Sequence, residues 1–162
     1  MKDVHVALIE KFYDAFTKRD FAGMSGCYHP DITFQDEVFS LKGKEAPAMW
    51  HMLCESGKDL AVTFSGVAAD DRVGRAHWEA HYTFSSTGRK VHNIIDAEFK
   101  FKDGLIIQHR DRFDFWRWAR QALGPTGLLL GWTPLVRGRV QRAARARLTK
   151  FIERHPEYGA SQ

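Results

Sequence analysis

Two residues with chemical potential stand in an otherwise apolar run. Across LIIQHRDRFDF, a period of two puts Ile107, His109, Asp111, Phe113 and Phe115 on one side. An imidazole and a carboxylate among Ile and Phe cost free energy unless something pairs with them or the face lines a cavity. In a cavity, such a pair can take and give protons. The plainer alternatives are a core imidazole at His109, bonded to Asp36 or to a tyrosine, and an Asp111 that caps a backbone amide or pairs with Arg110, Arg112 or a lysine. A second candidate carboxylate, Asp36, closes the run DITFQD, at a strand end where acids also make turns. His81 and Glu79 share one side of AHWEAHYTF with His77 and Thr83; Trp78, Ala80, Tyr82 and Phe84 take the other, and alternation alone leaves open which side faces inward.

The surrounding elements follow from periodicity and punctuation. Lys102-Asp103-Gly104 supplies the tight turn of a hairpin whose first strand turns Ile95, Ala97, Phe99 and Phe101 to one side. Upstream, Asp3 caps a helix with the stripe Val4, Leu8, Phe12, Ala15 and Phe16. A weak second helix follows Asp20 and ends before Pro30. DITFQDEVF is the first strand, and a third helix runs from Lys44 to Ser56, closed by Gly57. LAVTFSGVAAD and AHWEAHYTF are the next strands. After the hairpin come a short aromatic helix (WRWARQAL), a Gly-Pro-Thr-Gly interruption, a Leu128–Trp132 segment placed to lid the fold, and a last helix from about Pro134 to Arg154. Helices, then antiparallel strands, then an appended helix is an α+β order. The expected architecture is a cystatin-like cone: a curved mixed or antiparallel sheet wrapped around N-terminal helices. Residues 1–118 form the cone domain, and 119–162 a helical extension packed on it or on a partner subunit.

Composition narrows the class. The chain has 162 residues, 44% of them hydrophobic and 27% charged, as expected for a single globular domain. Two cysteines, Cys27 and Cys54, make no disulfide framework, and MKDVHVALIEKF lacks the pattern of a signal peptide, so the expected compartment is the cytoplasm. Residues 110–154 carry 11 Lys+Arg against 3 Asp+Glu, so the basic charge is concentrated there. The last helix crowds Arg137, Arg139, Arg142, Arg145 and Arg147 around an apolar face of Leu135, Val136, Val140, Ala144, Leu148, Phe151 and Ile152. Contact with a membrane or nucleic acid is one reading of that helix. Packing of its apolar face on the domain or on a partner subunit, with the arginines solvated, is the preferred one. No metal is expected, because His77, His81, His92 and His109 would have to converge across strands. No cofactor is expected either: phosphate loop and dinucleotide fingerprint are both absent.

The element order, with YHPDITFQDEV and FKFKDGLIIQHRDRFD, resembles the nuclear transport factor 2-like superfamily over about residues 4–118. That superfamily includes SnoaL-like polyketide cyclases, ketosteroid isomerases and limonene-epoxide hydrolases. By the isomerase resemblance, Asp36 falls on the general base; the two oxyanion donors fall on Phe12, which cannot donate, and on Asn93, whose amide can. Tyr13 is adjacent to Phe12 but about 100° round the helix. By the hydrolase resemblance, Asp111 in RDRFD falls on the carboxylate that activates water. The Arg-x-Asp pair of that family is replaced by His81-x-Thr83 or Glu79-x-His81, so Glu79, His81 and Asp111 become a candidate water-activating cluster. The resemblance implies a conical pocket for a small hydrophobic molecule, with Tyr13, Phe16, Trp50, Trp78, Tyr82, Asn93, Phe99 and Phe113 as its wall, and a homodimer through the sheet face. Expected function is cofactor-independent isomerase, lyase or hydrolase chemistry by Asp111, Asp36, His109 and His81. The alternative is a non-catalytic ligand-binding or dimerisation module of the same fold.

Overall fold

The computed structural model describes residues 2–159. Helices α1 (Lys2–Thr17), α2 (Phe21–Ser25) and α3 (Glu45–Ser56) pack within a six-stranded sheet. Its strands are β1 (Tyr28–Gln35), β2 (Ser40–Lys42), β3 (Ala61–Ala69), β4 (Val73–Phe84), β5 (Arg89–Lys102) and β6 (Leu105–Arg112). Spatial order is β2-β1-β6-β5-β4-β3. All neighbours are antiparallel except β1 and β6, which run parallel, so the sheet is mixed, as the α+β cone requires.

The predicted hairpin forms as read. Lys102 pairs with Leu105 around Asp103 (φ 53°) and Gly104 (φ 74°), the left-handed pair that a two-residue turn needs. One expectation on β6 changes. The pairing shifts between Lys100 and Phe101, so Ile107 is the extra residue of a bulge. Ile106 therefore takes the inward place expected of Ile107 and is fully buried, while His109 and Asp111 keep theirs. On α1 the buried face is Ile9, Phe12, Tyr13 and Phe16; Val4 is 53% exposed. The large aromatics turn the helix, because their burial removes more apolar area from water than that of Val4 or Leu8.

Beyond the sheet lie α4 (Phe115–Leu123), α5 (Pro125–Leu130), α6 (Pro134–Arg154) and a 3-10 turn at Pro156–Tyr158. Residue 118 falls inside α4, which packs on β5 together with Val91 and Phe84. Thr133 caps α6 by accepting from the Val136 amide, with Pro134 in its first turn. Leu148 is fully buried in the main core, Arg137 pairs with Glu37 at 3.2 Å, and Arg145 pairs with Glu45. The extension is thus seated on the domain itself. Leu128, Leu129, Leu130 and Trp132 do not lid the cone: they are between 48% and 72% exposed. Among the described residues no helix is long and apolar enough to cross a membrane.

Candidate functional site

The inner face of the sheet carries Ala76, Trp78 and Ala80 from β4, Val91, Asn93, Ile95, Ala97 and Phe99 from β5, and His109 and Asp111 from β6. Facing it are Phe12, Tyr13 and Phe16 from α1 and Trp50 from α3. The aromatic rings touch edge to face, with Phe16 5.0 Å from Trp50 and 5.3 Å from Trp78 between centroids. The cone is filled by its own side chains: Tyr13, Phe16, Trp50, Trp78 and Phe99 are all at most 7% exposed. Tyr82 and Phe113 lie half-buried where this core meets the α4 cluster.

A chain of hydrogen bonds crosses that apolar interior. Trp50 Nε1 donates to the Tyr28 hydroxyl at 2.8 Å, and that hydroxyl lies 2.7 Å from His109 Nδ1. His109 Nε2 lies 2.9 Å from Asp111 Oδ1, which also receives Trp78 Nε1 at 3.3 Å. An indole can only donate and a carboxylate can only accept. The Tyr28 oxygen therefore takes the Trp50 hydrogen and passes its own to Nδ1, and Nε2–H turns to Asp111. Every member is satisfied with a neutral imidazole, and all donors point toward one carboxylate. Nothing in the sequence pattern singles out Tyr28. It meets His109 across the parallel β1–β6 pairing, 81 residues apart, and no local pattern signals that contact.

Tyr13 breaks the pattern. Its hydroxyl is fully buried and, among the described residues, has no hydrogen-bond partner. An orphaned buried polar group costs about 1–3 kcal/mol. Burial, reinforced by the charge on Asp111 and by Tyr28, pushes this hydroxyl well above its ordinary pKa, so it stays a neutral donor.

Asp36 stands just beyond the end of β1 and is half-buried. Its Oδ1 accepts from the amides of Val38 (2.7 Å) and Phe39 (2.6 Å), the turn-making role of an acid in that position. Burial nevertheless lifts its pKa to about 7; the two amide bonds pull it back in part, and the charges of Asp111 and Glu37 add to the rise. Tyr82, whose hydroxyl receives Trp118 Nε1 at 2.7 Å, is raised to about 12 by burial, with a further contribution from Asp36. Asn93 is 8% exposed on the inner face between Val91 and Ile95.

The structure does not bring His81 to the site. Trp78, Ala80 and Tyr82 take the inner face of β4, so His81 and Glu79 lie on the outer one. There the His81 ring stacks on His92 at 4.0 Å, while Glu79 bridges His92 Nε2 (2.7 Å) and His77 Nε2 (3.0 Å). A cluster of Glu79, His81 and Asp111 is excluded by the sheet between them. Two alternate sides of one strand cannot share a cavity.

Comparison with known proteins agrees with this geometry. Among solved structures, an epoxide hydrolase of the limonene-epoxide hydrolase-like type from M. tuberculosis superposes with a TM-score of 0.62 at 19% identity, covering 83% of this chain and 96% of that one. A candidate SnoaL-like polyketide cyclase from Jannaschia sp. CCS1 gives 0.67 at 15% identity, over 76% and 94%. A candidate ketosteroid isomerase from Kribbella flavida gives 0.56 at 14%, over 70% and 79%. At these identities the likeness is one of fold. No protein of curated function matches the chain. The family model of the SnoaL-like domain matches residues 9–109, from the buried face of α1 through His109, and the chain belongs to that family.

Proposed function

We propose that the protein is a cofactor-independent acid/base enzyme, of isomerase, lyase or hydrolase type, acting on a small hydrophobic molecule such as a polyketide, terpenoid or steroid-like ring. The observation that carries this reading is the Tyr13 hydroxyl, buried and unpartnered near a buried carboxylate. Such a donor gains its partner when a substrate oxygen arrives, and it strengthens as negative charge develops there. Asp36, held at about 7, is the base: at neutral pH it is ionised in part and matched to proton abstraction. The Trp50–Tyr28–His109–Asp111 chain holds the cone wall in place and sets the field felt by both groups. The aromatic wall selects apolar ligands.

A second reading, a binding or dimerisation module with an inert cone, is favoured by the close packing of that wall. Two measurements separate them. Carbon-detected NMR titration places the Asp36 carboxyl midpoint near 7 on the enzyme reading, and a midpoint in the ordinary carboxylate range defeats it. Turnover of cyclic ketones and epoxides falls by about 100-fold or more in Tyr13→Phe and is lost in Asp36→Asn. Unchanged turnover in both variants removes these residues from the chemistry.

A further inference from the structure

His51, Glu55 and His155 present ligand atoms that all lie within 4.8 Å of one another. His51 and Glu55 are one turn apart on α3, with Nε2 to Oε2 at 3.0 Å. His155 arrives from the C-terminal end of α6 and sets its ring 5.0 Å from that of His51. Taken alone, the first pair is an ordinary helical ion pair. The second imidazole and the way both rings are held make it more.

His155 Nδ1 lies 2.8 Å from the Phe151 carbonyl, which can only accept. Nδ1 therefore carries the hydrogen, and Nε2 of the neutral ring is left with its lone pair free. His51 Nδ1 lies 2.8 Å from the Tyr158 hydroxyl, which can donate or accept as required. The His51 ring is clamped flat against Phe21 at 3.6 Å and is 8% exposed. Two imidazoles, each anchored through Nδ1 to an oxygen, with a ligand atom of each within 4.8 Å of the other and of a carboxylate, have the outer-shell arrangement that orients metal-binding histidines. In a tetrahedral zinc site, ligand bonds of about 2.0–2.2 Å put donor atoms about 3.3–3.6 Å apart. The His51–Glu55 pair already stands at 3.0 Å, so closure is an approach of the His155 ring, and the 61% exposed Glu55 side chain is free to follow it.

We propose that His51, Glu55 and His155 form a site for a divalent transition-metal ion of the zinc class, which clamps the end of α6 onto α3. Two nitrogens and one oxygen suit zinc and its neighbours, not magnesium or calcium. Solvent takes the fourth position. For Nε2 to bind the metal the neutral His51 ring takes its Nδ1–H tautomer: the Nε2 hydrogen leaves to solvent, one is taken up from solvent at Nδ1, and Nδ1–H then donates to the Tyr158 oxygen. The outer-face group of His77, Glu79, His81 and His92 serves as the internal control: Glu79 bridges His77 and His92 there, but among the described residues only His51, Glu55 and His155 bring three ligand atoms within 4.8 Å of one another.

The full chain, freed of metal by chelation, is titrated with zinc in a calorimeter and with cobalt by visible absorption. One equivalent binds, cobalt gives the absorption of a tetrahedral site, and zinc raises the melting temperature. Glu55→Gln and His155→Ala each abolish both effects, and Tyr158→Phe weakens binding about 10-fold. Glu55→Gln alters an exposed side chain, so it reads the site even if His155→Ala loosens α6. Absence of saturable binding at micromolar zinc overturns the proposal. So does binding that survives Glu55→Gln and His155→Ala, or that is lost in His77→Ala.

Discussion

Asp36 combines a turn-making role with a strained ionisation. Its carboxylate is pushed up to about 7 chiefly by burial, while an unfolded aspartate ionises near 3.8. Between those values the unfolded chain has released the proton that the folded chain still holds. Stability from this group is therefore greatest below pH 4, declines as pH rises toward 7, and is flat beyond. Asp36→Asn keeps an oxygen for the Val38 and Phe39 amides but cannot ionise. The variant should match the wild type near pH 4 and become the more stable by about 2 kcal/mol at pH 8, read by thermal unfolding across that range. A difference that does not change with pH would show that the carboxyl is not perturbed. Asp36, His109 and Asp111 were legible because alternation and a strand end mark them. The Tyr13 hydroxyl was not, since a stripe drawn through Val4, Leu8 and Phe12 hides how far α1 is enclosed.

The helices show where local patterns suffice and where they stop. The α6 boundaries follow from Thr133, Pro134 and the apolar spacing, and Leu148 lies in the core as the spacing asks. Leu135 is on the same predicted face yet 74% exposed, because that face outruns the surface it packs on. Leu148→Ala should therefore cost about 3 kcal/mol in denaturant unfolding. Leu135→Ala should stay within about 0.5 kcal/mol. Equal effects would mean that α6 is not seated on α3. The Gly124-Pro125-Thr126-Gly127 stretch conceals α5, since Pro125 opens a helix as readily as it ends one. The bulge at Ile107 shifts the inward residue by one, and only pairing with β5 shows it.

At the scale of the molecule, the two faces of the sheet divide the polar residues by use. The inner face keeps a few carboxyl, imidazole and hydroxyl groups in an aromatic interior, where each one counts. The outer face spends its histidines and acids on pairs in water, which contribute little to stability. Likeness to solved structures of a cyclase, an isomerase and an epoxide hydrolase is one of fold, so the chemistry has to be read from the groups inside the cone.

The parallel seam between β1 and β6 has a consequence in time. Tyr28 reaches His109 only after a loop of 81 residues has closed, whereas the β5–β6 hairpin needs two. The hairpin can form early; the seam, and the hydrogen-bond chain through it, form late. Tyr28→Phe strands the Trp50 N–H and should cost about 1–3 kcal/mol. In stopped-flow experiments that loss should appear as faster unfolding with the refolding limb unmoved. Refolding slowed in proportion would put the seam in the nucleus instead. If the seam does close last, then the hydrogen-bond chain also holds the native state shut, and its strength governs the lifetime of the fold more than the speed of its making.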